Sequence, residues 1–318
     1  ILEEINRSGG NSAGFHGQMY IMGALLRHGS ESQKDRWLPP IAAGKLRLQA
    51  FSVTEQEAGS DTTNIQTYAR KENDHYIISG HKNWTSRIQQ SDLMLLLART
   101  TPSDAVTTRT DGLSLFMIDL QDARRQRDTL IVNPVKTMIN YETFEVTYCE
   151  LVVPAENRIG LEGMGFHYVL DGWNAERILL ASECIGDGNW FIDKAVKYAS
   201  SREVFGAPIG KNQGVQFPLA RVYSELTAAD LVRYKAASLF DSEQKCGAEA
   251  NMAKLLSADA SWKAANICLD THGGIGFVEE YDIERKFRET RLFQVAPVNH
   301  NMVLSYIATH VLGLPKSY

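Results

Sequence analysis

The spacing of apolar residues changes twice along the 318-residue chain, and this change restricts the possible folds more than any single motif does. Residues 1 to about 48 have a helical rhythm, as Tyr20, Ala24 and His28 illustrate. The strand-like runs that follow, rich in β-branched and large apolar residues, are 75–79, 93–98, 113–120 and 144–153. Long helical patterns then return over about 163–200, 213–241, 246–272 and 298–312.

This order predicts an α+β multidomain protein. We expect an N-terminal helical domain over 1–48, a middle β-sandwich or barrel-like domain over 49–162, and a C-terminal four-helix bundle over 163–318. The length also exceeds what one hydrophobic core usually serves. Because the chain opens at Ile1 inside a helical pattern, we expect the N-terminal domain to be truncated.

Composition limits the partners and the cellular compartment to be expected. Lysine and arginine total 33 against 38 acidic residues, a net charge of -5, so neither nucleic acid nor an anionic membrane is an expected partner. No apolar run approaches the roughly 18 residues that span a bilayer, so no membrane insertion is expected. The four cysteines are widely spaced, which indicates neither a metal site nor a disulfide framework and favours a cytoplasmic protein.

Glu176 interrupts an apolar stripe in the first C-terminal helical pattern. It shares the stripe with Val169, Trp173 and Leu180, at steps of four, three and four residues. No lysine or arginine lies three or four positions from it, so we expect that no cation of its own helix can pair with it. Burial should raise its pKa, as a general base working near neutral pH requires. The alternative is a structural glutamate that pairs with another segment or lies at a wet helix edge.

Four other stretches suit cofactor binding: 51-FSVTEQEAGSD-61, 80-GHKNWTS-86, 202-REVFGAPIGKNQ-213 and 272-HGGIGF-277. The tryptophan of the second offers a flat face for an aromatic cofactor, beside hydroxyls that can bond a ring nitrogen. Arg202 could hold a diphosphate, and the glycine turn lets backbone approach a ligand. Taken singly, each stretch is equally well a capped surface loop, a core tryptophan or an ordinary turn.

Together and in this order, these stretches resemble the acyl-CoA dehydrogenase family of flavoproteins over essentially the whole chain. The resemblance implies the three-domain order predicted above, and a homotetramer or homodimer with FAD at subunit interfaces. It also implies FAD as the cofactor and a fatty or branched acyl-CoA as the substrate. An electron-transfer flavoprotein would be the electron acceptor.

The resemblance also implies roles for single residues. Val53 and Thr54 would contact the flavin ring, Trp84 would stack near it, and Ser86 would lie by its N5 atom. Ser60 would contact the CoA portion of the substrate. Further FAD contacts, several to a cofactor bound mainly by a neighbouring subunit, would come from Arg202, Phe205, Gln213, Gly274, Asn299 and Asn301. The last two stand where threonine and glutamine are common in the family.

One departure decides where the catalytic base is expected. Most members carry a Glu-Gly pair on a loop near the C-terminus, where this chain has Pro297-Val298. A minority branch, which includes isovaleryl-CoA and long-chain dehydrogenases, places the base in the first bundle helix just before an arginine, and Glu176-Arg177 matches that position. Pro297 also lacks the N–H that usually holds the thioester oxygen, so Val298 donates instead, or the carbonyl is held differently, or the reaction differs.

We therefore predict that Glu176 removes the α-proton of an acyl-CoA while FAD takes hydride from the β-carbon, giving a trans-2-enoyl-CoA. Arg177 is expected to contact the substrate. Two alternatives stay open. One is a flavin reaction of the desulfinase or oxygen-using type, and the other is a non-catalytic flavin-binding or DNA-associated relative, against which the acidic balance argues.

Overall fold

The computed structural model describes residues 1–139 and 142–316. Its α-helices are α1 (Leu2–Arg7), α2 (Ala13–His28), α3 (Glu31–Ala42), α4 (Leu120–Arg125), α5 (Gly165–Ser201), α6 (Gln213–Asp241), α7 (Gly247–His272), α8 (Ile283–Arg291) and α9 (His300–Tyr306). Its strands are β1 (Leu48–Ser52), β2 (Tyr68–Glu72), β3 (His75–Ser86), β4 (Leu93–Arg99), β5 (Leu113–Asp119), β6 (Leu130–Val135), β7 (Thr143–Pro154), β8 (Arg158–Ile159), β9 (Glu203–Val204) and β10 (Ala207–Pro208).

The chain forms two compact units. Of the described residues, one unit contains 1–12, 138–139 and 174–316, and the other contains 13–137 and 142–173. The division falls within α5, between Trp173 and Asn174. The three domains with boundaries at 48 and 162 stay a prediction.

A mixed sheet organises the second unit. Its order is β6-β7-β3-β2-β4-β5-β8, and β1 pairs in parallel with β4. Alternate residues of β4 face two different cores: Leu93, Leu95 and Leu97 enter one, and their neighbours enter the other. Burial on both faces explains why this strand reads as a continuous apolar run.

Helix α3 of the second unit begins at a capping residue and ends before a glycine. Ser30 caps α3 in a capping box, because its side chain accepts from the Gln33 N–H while the Gln33 side chain accepts from the Ser30 N–H. The chain leaves this helix through Gly44, whose φ of +69° suits glycine. Trp37 and Ile41 of α3 pack with Leu25 of α2 into the core that also holds one face of the sheet.

The first unit is built on three long helices, α5, α6 and α7. They pack around a core that includes Ile185, Phe191, Leu226 and Ala264. The predicted final helix is shorter than expected, since α9 is followed by a single π turn over Ile307–Val311.

Helix α8 was not predicted. Its segment 283-IERKFRETR-291 is mostly charged, so it offers little apolar periodicity. The helix is supported by ion pairs at four-residue spacing instead, Arg285 with Glu289 and Glu284 with Arg288.

The predicted fold class is confirmed: the protein is α+β, with N-terminal helices, a middle β region and a C-terminal helical region. None of the helices in the described ranges combines the length and apolar character needed to cross a membrane.

Candidate active site

The four residues expected to contact the flavin ring lie on two joined segments of one compact unit. Val53 and Thr54 follow β1, and Trp84 and Ser86 end β3. The Asn83 N–H donates to the Thr54 carbonyl at 2.8 Å, so the loop after β1 is hydrogen-bonded to the C-terminal end of β3. The sequence therefore brings both motifs to one place, although they are some thirty residues apart.

Trp84 has an unusual backbone for its size. Its φ is +61°, and β3 shifts register against β7 between Lys82 and Thr85. A bulky residue held in this region stores strain, and such residues concentrate at functional sites. The indole is 58% exposed, which excludes the core-tryptophan interpretation and leaves a face available to a ligand.

The two serines lie in different environments. Ser86 is half-buried, and its hydroxyl lies 3.1 Å from that of Thr143 in a hydrogen bond. Ser60 is exposed in the turn after β1, beside Asp61, whose carboxylate is 3.6 Å from the Arg109 guanidinium. An exposed turn with a nearby cation suits a polar part of a ligand.

Sequence reasoning missed a buried ion pair beneath this cluster. The Lys82 side chain is 0% exposed, and its Nζ lies 2.9 Å from a carboxylate oxygen of Glu55. The same ammonium donates to the Val53 carbonyl at 2.7 Å. Burial lowers the pKa of Lys82 to about 8, against the opposing effect of Glu55. The available signal was a lysine at an inward-facing position of β3, next to the exposed His81.

A second group of expected FAD contacts lies in the other unit. Arg202 and Phe205 belong to the hairpin formed by β9 and β10, and Gln213 opens α6. Phe205 lies at the hairpin tip with a φ of +56° and a relative exposure of 104%. A ring so exposed is accessible to a ligand or another chain.

The remaining members of that group lie in the turns after α7 and before α9. A side-chain Cβ built at Gly274 would meet nothing within 4 Å, so there is room for a ligand against this turn. The Asn299 side chain accepts from the Met302 N–H at 3.0 Å and thereby caps α9. Asn301 is exposed in the first turn of that helix.

Glu176 is nearly completely buried, with 5% of its surface exposed on α5. The expectation that no cation of its own helix acts on it needs correction. The next residue, Arg177, is buried enough to have its pKa lowered by desolvation, and the negative charge of Glu176 opposes that shift. The helical spacing rule overlooked this neighbour because it considers only positions three and four residues away.

The stripe that carries Glu176 continues to two further buried acids. Glu183 is 2% exposed and its carboxylate accepts from the Ser12 hydroxyl at 2.5 Å. Asp187 is 1% exposed and pairs with the buried ammonium of Lys286. A carboxylate on this apolar stripe is therefore a less specific signal than the sequence suggested, since the stripe carries three of them.

Pro297, which the resemblance matches to the family's usual base, is exposed and follows a cis peptide bond from Ala296. Neither Pro297 nor the half-buried Val298 carries a carboxylate.

Comparison with known proteins gives three family matches. They are the acyl-CoA dehydrogenase N-terminal domain over residues 1–45, middle domain over 50–144 and C-terminal domain over 163–312. Acyl-CoA dehydrogenase FadE12 of Mycobacterium tuberculosis is 34% identical over 305 residues, which cover 92% of this chain and 74% of the relative. The caffeyl-CoA reductase-Etf complex subunit CarC of Acetobacterium woodii is 33% identical over 274 residues, covering 86% and 70%. The solved structure of butyryl-CoA dehydrogenase from Megasphaera elsdenii superposes with a TM-score of 0.89 at 26% identity, covering 98% of this chain and 80% of that one.

Proposed function

Because this chain belongs to the acyl-CoA dehydrogenase family, whose members are FAD-dependent oxidoreductases, we propose that it dehydrogenates an acyl-CoA to a trans-2-enoyl-CoA with Glu176 as the base. The observation that carries the proposal is a nearly completely buried carboxylate on α5 beside Arg177, in a chain whose usual base position is Pro297. A carboxylate in this setting suits proton abstraction from carbon.

FAD is the cofactor, and the residues present fit it. The exposed Trp84 beside Ser86 suits the flavin ring. Arg202 and Phe205, with the open turn at Gly274, would contact a FAD that is bound mainly by a neighbouring subunit. When bound, FAD supplies the acceptor for the β-hydride.

The chain itself must remove a proton of low acidity and stabilise the charge that develops on the thioester oxygen. The Glu176 carboxylate takes the α-proton, and the Arg177 guanidinium beside it contacts the substrate. The negative charge of Glu176 in turn opposes the lowering of the Arg177 pKa by burial. Pro297 has no N–H to give the oxygen, and one such donor is worth about 3 kcal/mol. The Val298 N–H is the nearest replacement along the chain.

Electrons must then leave the reduced protein. An electron-transfer flavoprotein is the proposed acceptor, and the name of the CarC relative, which includes an Etf complex, supports this assignment. A homotetramer or homodimer is the proposed assembly, because Phe205 is fully exposed on a hairpin expected to reach a neighbour's cofactor.

A second candidate is the reverse reaction, reduction of an enoyl-CoA, which the reductase name of the same relative favours. Glu176 would then return a proton to the α-carbon. The comparisons do not favour the desulfinase-like, oxygen-using or DNA-associated alternatives.

The proposal is tested by mixing oxidised protein anaerobically with a panel of straight and branched acyl-CoAs and following flavin bleaching. Wild-type protein should bleach with at least one of them, and Glu176→Gln should bleach far more slowly. Glu183→Gln is the matched control, since it alters a buried glutamate seven residues further along the same helix and should bleach at close to the wild-type rate. Equal bleaching by wild type and Glu176→Gln would refute the assignment.

A further inference from the structure

The segments that carry the expected flavin-ring contacts converge on one buried ammonium. Lys82 Nζ donates to the Val53 carbonyl at 2.7 Å and lies 2.9 Å from Glu55, so it fixes the loop after β1. It is also the second residue before Trp84 along β3. One side chain therefore links the loop of Val53 and Thr54 to the strand end of Trp84 and Ser86.

Glu55 extends this link to a third segment. Its carboxylate accepts from the backbone N–H groups of Gln66 at 2.6 Å and Thr67 at 2.9 Å. Arg99, whose guanidinium donates to the Thr63 carbonyl at 2.7 Å, adds a second positive charge that acts on Glu55. The carboxylate thus satisfies backbone donors that would otherwise be buried without partners.

One use of a buried ion pair is to fix a defined geometry. A defined geometry is present here, because Trp84 sits at a register shift with a strained backbone two residues after Lys82.

We infer that Lys82, held by Glu55, is a positioning residue that sets the loop and strand end against which the flavin ring binds. This inference rests on the proposed function in placing the ring against Val53, Thr54, Trp84 and Ser86. Lys82 itself lies beneath the cluster, fully buried, and acts through the Val53 carbonyl and the backbone around Trp84.

The test is FAD binding, measured by titrating apoprotein with FAD and recording the visible spectrum of the saturated protein. Lys82→Met should raise the Kd for FAD about tenfold and shift the flavin band towards that of free FAD. Losing a side chain that orients a metal ligand typically costs about 10–100-fold in affinity, and we expect the lower end of that range here. Lys82→Arg, which keeps the cation, should recover most of the affinity. The double variant Glu55→Gln with Lys82→Met leaves no buried carboxylate uncompensated, so it should fold and still bind FAD weakly.

Lys286→Met is the matched control. It removes another buried lysine from an ion pair, in the other compact unit, so it should lower thermal stability and leave the Kd and flavin spectrum unchanged. Lys82→Met or the double variant with wild-type Kd and spectrum would overturn the inference alone. Wild-type protein that takes up no FAD would overturn the proposed function, and the inference with it.

Discussion

Three buried acids lie on one stripe of α5, so a carboxylate on this stripe does not by itself mark a catalytic base. Glu176, Glu183 and Asp187 are all at least 95% buried, so neither burial nor apolar spacing separates them. Glu183 accepts from Ser12 and Asp187 pairs with Lys286, both far away in sequence. The choice of Glu176 as the proposed base rests on the resemblance, which expects a carboxylate where this chain has Pro297 and offers Glu176-Arg177 as the other base position.

Lys82 gives a residue-level prediction with a definite sign. Burial lowers its pKa to about 8 from 10.5, so the cation that holds Val53 is lost above pH 8. We expect the Kd for FAD to rise between pH 7 and 9 in wild-type protein and to stay flat in Lys82→Arg, which remains charged. Fluorescence titration across this range measures both.

Titration of Lys82 does not destabilise the fold in this range, so unfolding cannot explain a rise in the Kd for FAD. Its pKa is lower in the folded state than the unfolded value of 10.5, so its contribution to the free energy of unfolding rises between pH 8 and 10.5. Equal pH dependence of FAD affinity in wild type and Lys82→Arg would contradict the role given to this side chain.

At the level of elements, apolar periodicity predicted the helices and strands that bury a face, and it missed elements that are held mainly by polar contacts. The run at 93–98 predicts β4, and the patterns at 213–241 and 246–272 predict α6 and α7 within a residue or two. Strand β2 and helix α8 are missing from the prediction, because their exposed, charged residues leave weak apolar patterns. Strand β6 is also missing, because Asn133 and Pro134 interrupt a short, half-exposed run. The hairpin of β9 and β10 has strands of only two residues each, which are too short to give a pattern.

The pair of α5 and α8 provides an element-level prediction. Lys286 of α8 pairs with Asp187 of α5 and donates to the Gly10 carbonyl at 2.9 Å, and both charged side chains are about 1% exposed. Lys286→Met leaves a buried carboxylate without its cation, so it should lower the free energy of unfolding by about 3–5 kcal/mol. Asp187→Leu combined with Lys286→Met should recover most of this loss, as measured by chemical denaturation.

The defect of Lys286→Met should also shrink in acid. Burial raises the pKa of Asp187 to about 7, so this carboxyl binds its proton more readily in the folded than in the unfolded state. Its contribution to stability is then complete below about pH 4 and lost as the pH rises through 7. A defect that grows on acidification would contradict the assignment of the pair.

At the scale of the whole molecule, the contacts define two compact units, and the three predicted domains with boundaries at 48 and 162 stay a prediction. The discontinuity has a physical basis in each unit. Residues 1–12 are bonded into the first unit through the Ser12 hydroxyl and the Gly9 and Gly10 carbonyls, and α2 and α3 share a core with β4 in the second. Long-range hydrogen bonds of this kind leave no periodic signal in a sequence.

The proposed assembly of subunits through Phe205 gives a prediction for the whole molecule. If the exposed Phe205 meets a neighbouring subunit, Phe205→Asp should shift the protein to a smaller assembly and weaken FAD binding. Aspartate tolerates the positive φ at this position, so the hairpin itself should persist. Phe15→Asp, which changes a phenylalanine 59% exposed in the other unit, is the control. Light scattering reports the mass, and an unchanged mass and Kd in Phe205→Asp would contradict this arrangement.

We propose that the Glu176 carboxylate on α5 removes the α-proton, a role that most family members give to a glutamate on a C-terminal loop. The most direct test of this role is the first-order rate constant of anaerobic flavin bleaching in Glu176→Gln, with the acyl-CoA that reduces wild-type protein fastest. We predict that this rate constant falls about 10²–10⁴-fold in Glu176→Gln, with the Kd for FAD unchanged. A rate constant within a few-fold of the wild-type value would contradict it.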